Sequence, residues 1–198
     1  MAERDPSLAA GVNVETAVTL GEIPLTLAWN VRGDGAEPQF IEAASRLLGL
    51  ALPGQPNTSV CTDDAALLWM GPTSWMFVAG PDAARPAFDD IRRALNDAGG
   101  ALFDVSSSYI AWKVAGPAAA RVLNRGCPLD LHPDAFPAGH CAQSVLGHVT
   151  ALFHRPDESS TFIVIVARSY ARDAWEFLRV AAMSEGGAPC ANDTLMRS

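Results

Sequence analysis

Apolar and polar positions alternate along "LTLAWNVR" (25–32), the pattern of a strand with one buried face. After "GDGAE", Pro38 suits a first helical turn, and Phe40, Ile41, Ala44, Leu47 and Leu48 then recur on one helix face. "ALLWM" (66–70) and "SWMFVA" (74–79) read as two strands around Gly71-Pro72, a hairpin signal. Pro81 is expected to open a second helix whose apolar face is Ala84, Phe88, Ile91, Leu95 and Ala98. Gly99-Gly100 stops it, because glycine alone takes positive φ without penalty. "ALFDV" (101–105) follows as a fourth strand, which completes a βαββαβ order, that of a ferredoxin-like unit.

The second half reads in a similar way. "SYIAWKVA" (108–115) is a strand, Pro117 to Arg125 a short helix ended by Gly126, and "CAQSVLG" and "VTALFHR" are strands. "TFIVIVA" (161–167) is a continuous apolar run suited to a central strand. Ser169 is positioned to cap the last helix, with Tyr170, Ala174, Phe177, Leu178 and Ala181 on its buried side. The expected fold is therefore α+β, with two tandem ferredoxin-like units at 17–105 and 106–184. They lie between a flexible lead at 1–16 and a flexible tail at 185–198.

One stretch occurs twice: "VAGPDAAR" (78–85) returns as "VAGPAAAR" (114–121). In each, apolar residues end a strand, glycine turns the backbone and proline supplies φ for helix entry. A phosphate-binding turn would need several glycines for close backbone approach, and each copy has one. The repeat reads as a strand-to-helix joint at nonequivalent points of the two units.

Composition narrows the function. Of 198 residues, 49% are hydrophobic and 18% charged, which is globular rather than disordered. Fourteen Lys+Arg face 22 Asp+Glu, and the basic residues are scattered, against the clustered charge that nucleic acid requires. No apolar run is long enough for a membrane span, and the N-terminus lacks the pattern of a signal peptide. Cys61, Cys127, Cys141 and Cys190 form no CxxC pair, which suits a reduced, cytoplasmic chain.

Candidate chemistry is sparse. His132, His140, His148 and His154 cluster in sequence beside Cys127 and Cys141, but without the close paired spacing of zinc ligands. Asp104 with Ser106, Ser107 and Ser108 lacks a nucleophile elbow and reads as a tied turn. There is no Walker loop, no GxGxxG and no HExxH. The five tryptophans read mostly as core, with one or two available to an interface.

The stretch "ALFDVSSSYIAWKVAGPAAARVLNRGCPLDLHPDAFPAGHCAQSVL" resembles the γ subunits of bacterial heterotetrameric sarcosine oxidases. Asp104, Ser106, Gly116 and Pro117 look like the entry motif of the wider glycine-cleavage T-protein superfamily. "GCPLDLHPDAFPAGHCAQS" (126–144) is similar to the γ subunit in particular. Upstream, Pro72 and Trp75 match that subunit's "GPDEW", with Thr73-Ser74 departing from the acidic pair. The likeness covers roughly residues 20–184.

The resemblance implies a T-protein-like fold and a noncatalytic subunit, in a complex that demethylates sarcosine to glycine with hydrogen peroxide and methylenetetrahydrofolate as products. It implies α, β and δ partners that carry FAD, FMN, NAD, zinc and tetrahydrofolate, and no cofactor, metal or catalytic residue in this chain. Interface candidates carried by the motif are Asp104, Ser106, Gly116, Pro117, Gly126, Cys127, Pro128, Leu129, Asp130, His132 and Gln143. T-protein folate sites use an acidic residue in the hairpin that corresponds to "GHVTALFHR" (147–155), where Thr150-Ala151 stand here. Two alternatives remain: a free-standing folate-binding one-carbon-transfer protein, and a ferredoxin-like ligand-sensing or scaffold module.

Overall fold

The computed structural model describes residues 17–80 and 87–185. Strands β2 (Leu27–Arg32), β3 (Ser59–Cys61), β4 (Ala65–Gly71), β5 (Ser74–Ala79) and β6 (Ala101–Asp104) form one antiparallel sheet, in the order β3-β4-β5-β2-β6. The other contains β1 (Thr19–Ile23), β7 (Tyr109–Ala115), β8 (His140–Leu146), β9 (Val149–Arg155) and β10 (Thr161–Ala167), in the order β1-β7-β10-β9-β8. Helices α1 (Pro38–Leu48) and α2 (Phe88–Asp97) pack on the first sheet, and α3 (Ala119–Asn124) and α4 (Ala171–Met183) on the second.

Alternation within the strands decides the layering. On β2, Trp29 and Val31 join Phe40, Ala44, Leu95 and Leu102 under the first helix pair. Ala28 faces the other way, into a layer with Leu68, Met76, Val78, Ala111, Cys141, Leu152 and Ile165 from both sheets. The result is helices, sheet, sheet, helices. A strand covered on both faces has no need of a polar side, which is why all six residues of β5 are buried. The same reasoning places "TFIVIVA" between β7 and β9, as its continuous apolar run foretells. Trp29, Trp75 and Trp112 are fully buried, and Trp75 Nε1 donates to Pro53 O at 2.8 Å.

The sheets are tied at one corner by backbone. Ser59 N donates to Gly139 O at 2.7 Å and Cys141 N to Asn57 O at 2.9 Å. The buried Cys141 thiol donates to Thr58 O and Trp69 O, at 3.3 and 3.5 Å.

Several expectations need correction. The short strands β1 and β3 were not anticipated, and β1 pairs with β7 of the second sheet, from Thr19 opposite Ala115 to Ile23 opposite Ala111. An element at the start of the chain therefore completes the sheet built by its second half. Ala87 is extended, so α2 opens at Phe88; Pro81 and Ala84, and with them the first copy of the repeat's helix entry, lie outside the described residues. Ser169 does not cap α4. A 3-10 turn, Arg168–Tyr170, precedes the helix, whose N-cap is Tyr170 with no side-chain bond. That turn leaves Tyr170 48% exposed, and Ala174, Leu178, Ala181 and Ala182 form the buried side instead.

Candidate functional site

Two hollows open between the sheets, at opposite ends of β4 and β5. The first, about 650 Å³, is ligand-sized and is lined by a histidine and a cysteine that meet, His154 and Cys61. His154, at the end of β9, lies 3.0 Å from Ser59 Oγ and 3.4 Å from Cys61 Sγ, both from its Nε2. Ser59 and Cys61 share one face of β3 because strand side chains repeat every second residue. Lys113, the chain's single lysine, and Asp157 also line this hollow.

The hydrogen bonding settles what the cluster can do. Ser59 Oγ donates to Gly139 O at 3.0 Å, so its oxygen is free to accept from His154 Nε2–H. His154 Nδ1 is buried without a partner, and a bare nitrogen there costs less than an unmet N–H. With the proton on Nε2, the imidazole offers Cys61 no base. Burial also pushes the His154 pKa down to about 4, with Asp157 opposing weakly, and burial pushes the Cys61 thiol up. A thiolate–imidazolium pair is therefore disfavoured from both sides. Ser159 donates to Asp157 through its hydroxyl and its backbone N–H, which holds the Asp157 carboxyl below its ordinary range and shapes the β9–β10 turn.

The motif residues fall into separate structural duties. Asp104 Oδ1 accepts from Ser106 N at 2.9 Å and Oγ at 2.6 Å, while Ala28 N donates to Ser106 Oγ at 2.9 Å. This is the tied turn expected from the residue types, and it locks the end of β6 onto β2. Gly116 has φ 123°, and a Cβ there would stand 2.8 Å from Ala17 O. Pro117 follows in the turn and α3 begins at Ala119, which is the strand-to-helix joint of the second repeat copy. Gly126 accepts from Gly147 N at 2.9 Å, so close that a Cβ would meet Gly147 N at 2.8 Å.

Beyond it, Cys127 is buried and its thiol pushed up by that burial. Pro128 is exposed, Leu129 O accepts from Asn124 Nδ2 at 2.8 Å, and Asp130 Oδ1 accepts from His132 N at 2.9 Å. His132 is exposed, 3.5 Å from Asp134. Gln143 stands apart, donating through Nε2 to Met70 O at 2.9 Å across the sheets beside the second hollow.

The histidines also separate. His140 packs edge-on to Phe136, His148 is 3.8 Å from Asp173, and no three His, Cys, Asp or Glu side chains gather for a metal among the described residues. In the β8–β9 hairpin Thr150 is exposed and Ala151 buried under the helices. Sequence reasoning missed the His154–Cys61 meeting, which joins residues 93 apart with no local spacing to announce it. It also missed Arg155, buried and donating to Phe136 O at 3.0 Å and Glu158 O at 3.3 Å. Among the described residues no helix is long and apolar enough to cross a membrane.

The sequence model of the sarcosine oxidase, gamma subunit family matches residues 32–184. The chain is 32% identical over 182 residues to the sarcosine oxidase subunit gamma of Corynebacterium sp. (strain U-96), covering 91% of this chain and 86% of that one. The namesake from Corynebacterium sp. (strain P-1) is 32% identical over 159 residues, covering 80% and 76%. Among solved structures, a chain of the heterotetrameric sarcosine oxidase from Corynebacterium sp. U-96, in complex with pyrrole 2-carboxylate, superposes with a TM-score of 0.79. Identity there is 27% over 88% of both chains. The glycine cleavage system aminomethyltransferase T from Bartonella henselae gives a TM-score of 0.62 over 82% of this chain and 45% of its own. At 17% identity that second likeness is one of fold.

Proposed function

The chain belongs to the sarcosine oxidase gamma subunit family, and from that premise we propose that it serves the oxidase through subunit interfaces, with no catalytic group of its own. The observation that carries the noncatalytic reading is the His154–Cys61–Ser59 cluster. Its histidine points Nε2–H, not a lone pair, at the cluster and is made a weak base by burial, and burial also keeps the Cys61 thiol protonated, so no base activates a nucleophile there.

In this reading the partners are α, β and δ subunits in the cytoplasm, and FAD, FMN, NAD, zinc and tetrahydrofolate reside on them. The complex demethylates sarcosine to glycine. The fold is read as two ferredoxin-like units. In support, β4-β5-β2-β6 has the spatial order second-third-first-fourth of such a unit, and β1 flanks its counterpart. The likeness to an aminomethyltransferase favours folate handling as a second reading, but Thr150 offers no carboxylate to a pterin.

Co-expression of the tagged chain with the remaining subunits tests the proposal. The tag is expected to retain a flavin-coloured complex that consumes oxygen with sarcosine, while the isolated chain consumes none. Sarcosine-dependent oxygen uptake by the isolated chain, or its failure to retain any flavoprotein, would overturn the reading.

A further inference from the structure

We infer that the second hollow, bounded by β5, β6 and the start of β7, is the face on which another subunit of the oxidase docks, through an apolar segment carrying a carboxylate. The inference rests on the subunit reading above and adds the surface and the chemistry of what covers it.

The hollow measures about 950 Å³, and Met70, Met76, Phe103, Val105 and Tyr109 supply its apolar lining. Phe103 is 52% exposed in the middle of β6, which is an edge strand hydrogen-bonded to β2 alone. Soluble proteins guard such edges by keeping the strand short, or with lysine, proline, a bulge or an inward charge. The strand "ALFD" is short, at four residues, but has no lysine, proline or bulge: its register with β2 is unbroken from Ala101 to Asp104. Its one charge, Asp104, is occupied by Ser106. Among the described residues, an exposed aromatic on an edge strand guarded by little but its shortness, beside an apolar hollow, marks a surface that is covered in the working protein.

Charge selects the occupant. The chain carries a net charge of −8, yet among the described residues Arg32 is the sole charged one that lines this hollow. Among the described residues no carboxylate lies within ion-pair distance of it; its Nε donates to Asn30 Oδ1 at 2.6 Å. Asn30 is in turn fixed by donating to Ser74 Oγ at 3.1 Å and to Trp75 O at 3.3 Å. The guanidinium is thus held in place by neutral groups, with its terminal N–H donors left for an incoming carboxylate. A second copy of so acidic a chain would bring net repulsion to the same contact.

The test uses the whole complex. Hydrogen exchange at the 101–104 amides of the wild-type chain should slow at least tenfold on assembly, whatever the fate of any variant. Arg32→Glu with Phe103→Ser should cut recovery of the other subunits at least tenfold, with the melting temperature of the isolated chain unchanged. Lys113→Glu, in the opposite hollow, should leave recovery as in wild type. Unchanged exchange at 101–104 in an assembled wild-type complex overturns the docking face while leaving the subunit reading intact. Equal slowing in a homodimer of the isolated chain, seen by sedimentation, overturns it in favour of a second copy. A wild-type chain that recovers no partner overturns the subunit reading itself.

Discussion

His154 is 1% exposed, and its ring is solvated by the fold only in the neutral form. Its pKa, pushed down to about 4 by burial, lies below the roughly 6.5 of an unfolded histidine, so the unfolded chain takes up the proton first. Stability from this group is complete above about pH 6.5 and is lost as pH falls towards 4, by an amount on the order of 3 kcal/mol. Replacing His154 with Gln, which keeps a donor for Ser59 but cannot titrate, should flatten the fall of the melting temperature over that window. The check is the ratio of wild-type to variant slopes between pH 6.5 and 4.5, and parallel slopes would refute the assignment. The same burial explains why sequence reasoning could not find the cluster. Nothing in "SVC" or "LFHR" marks partners brought together by packing between sheets, and the four histidines that do crowd in sequence are dispersed by the strands.

At the scale of elements, most strands and helices announce themselves. β5, β7 and β10 carry enough β-branched and aromatic residues to read as strands, and α1 shows its face through Phe40, Ala44 and Leu48. The silent elements are those whose reason for existing lies elsewhere in the chain. β1, "TLGEI", is short and interrupted by glycine, and forms because the edge of β7 lies open to it. β3 has three residues and is held by β4 and the Gly139 carbonyl. The repeated "VAGP" is legible as a joint in its second copy, where geometry supplies the reason for glycine: positive φ and a carbonyl 2.8 Å from any Cβ. Gly116→Ala is therefore expected to destabilise the chain by about 1–3 kcal/mol, because both the backbone region and the space oppose a side chain. Gly21→Ala in β1, where no atom lies within 4 Å of a built Cβ, is the matched control and should stay within about 0.5 kcal/mol. Urea midpoints for the two variants decide the matter; equal shifts would dissociate Gly116 from the joint.

At the scale of the molecule, the two units expected from sequence order meet through a common layer. β1 crosses from the beginning of the chain to the far sheet, and the inner faces of both sheets bury one another through Leu68, Met76, Leu152 and Ile165. A shared core is expected from the sequence, but the residues that build it are illegible there, because periodicity reports that a face is buried, never what covers it. A fragment of residues 106–184 would lose the pairing of β1 along Ala111 to Ala115 of β7 and expose the inner faces of Ala111, Leu152 and Ile165 to water. Exposing such apolar surface is unfavourable at about 25 cal/mol per Å², against the marginal stability of a domain of this size. The fragment should therefore lack the dispersed amide resonances of a folded domain. The intact chain should melt in one transition, with calorimetric and van't Hoff enthalpies equal. Two resolved transitions, or a folded fragment, would show that the inter-sheet layer is an optional contact between independent halves. In that event the docking face beside β6 would have to be built from the first half alone, although Tyr109 and Gln143 line it from the second.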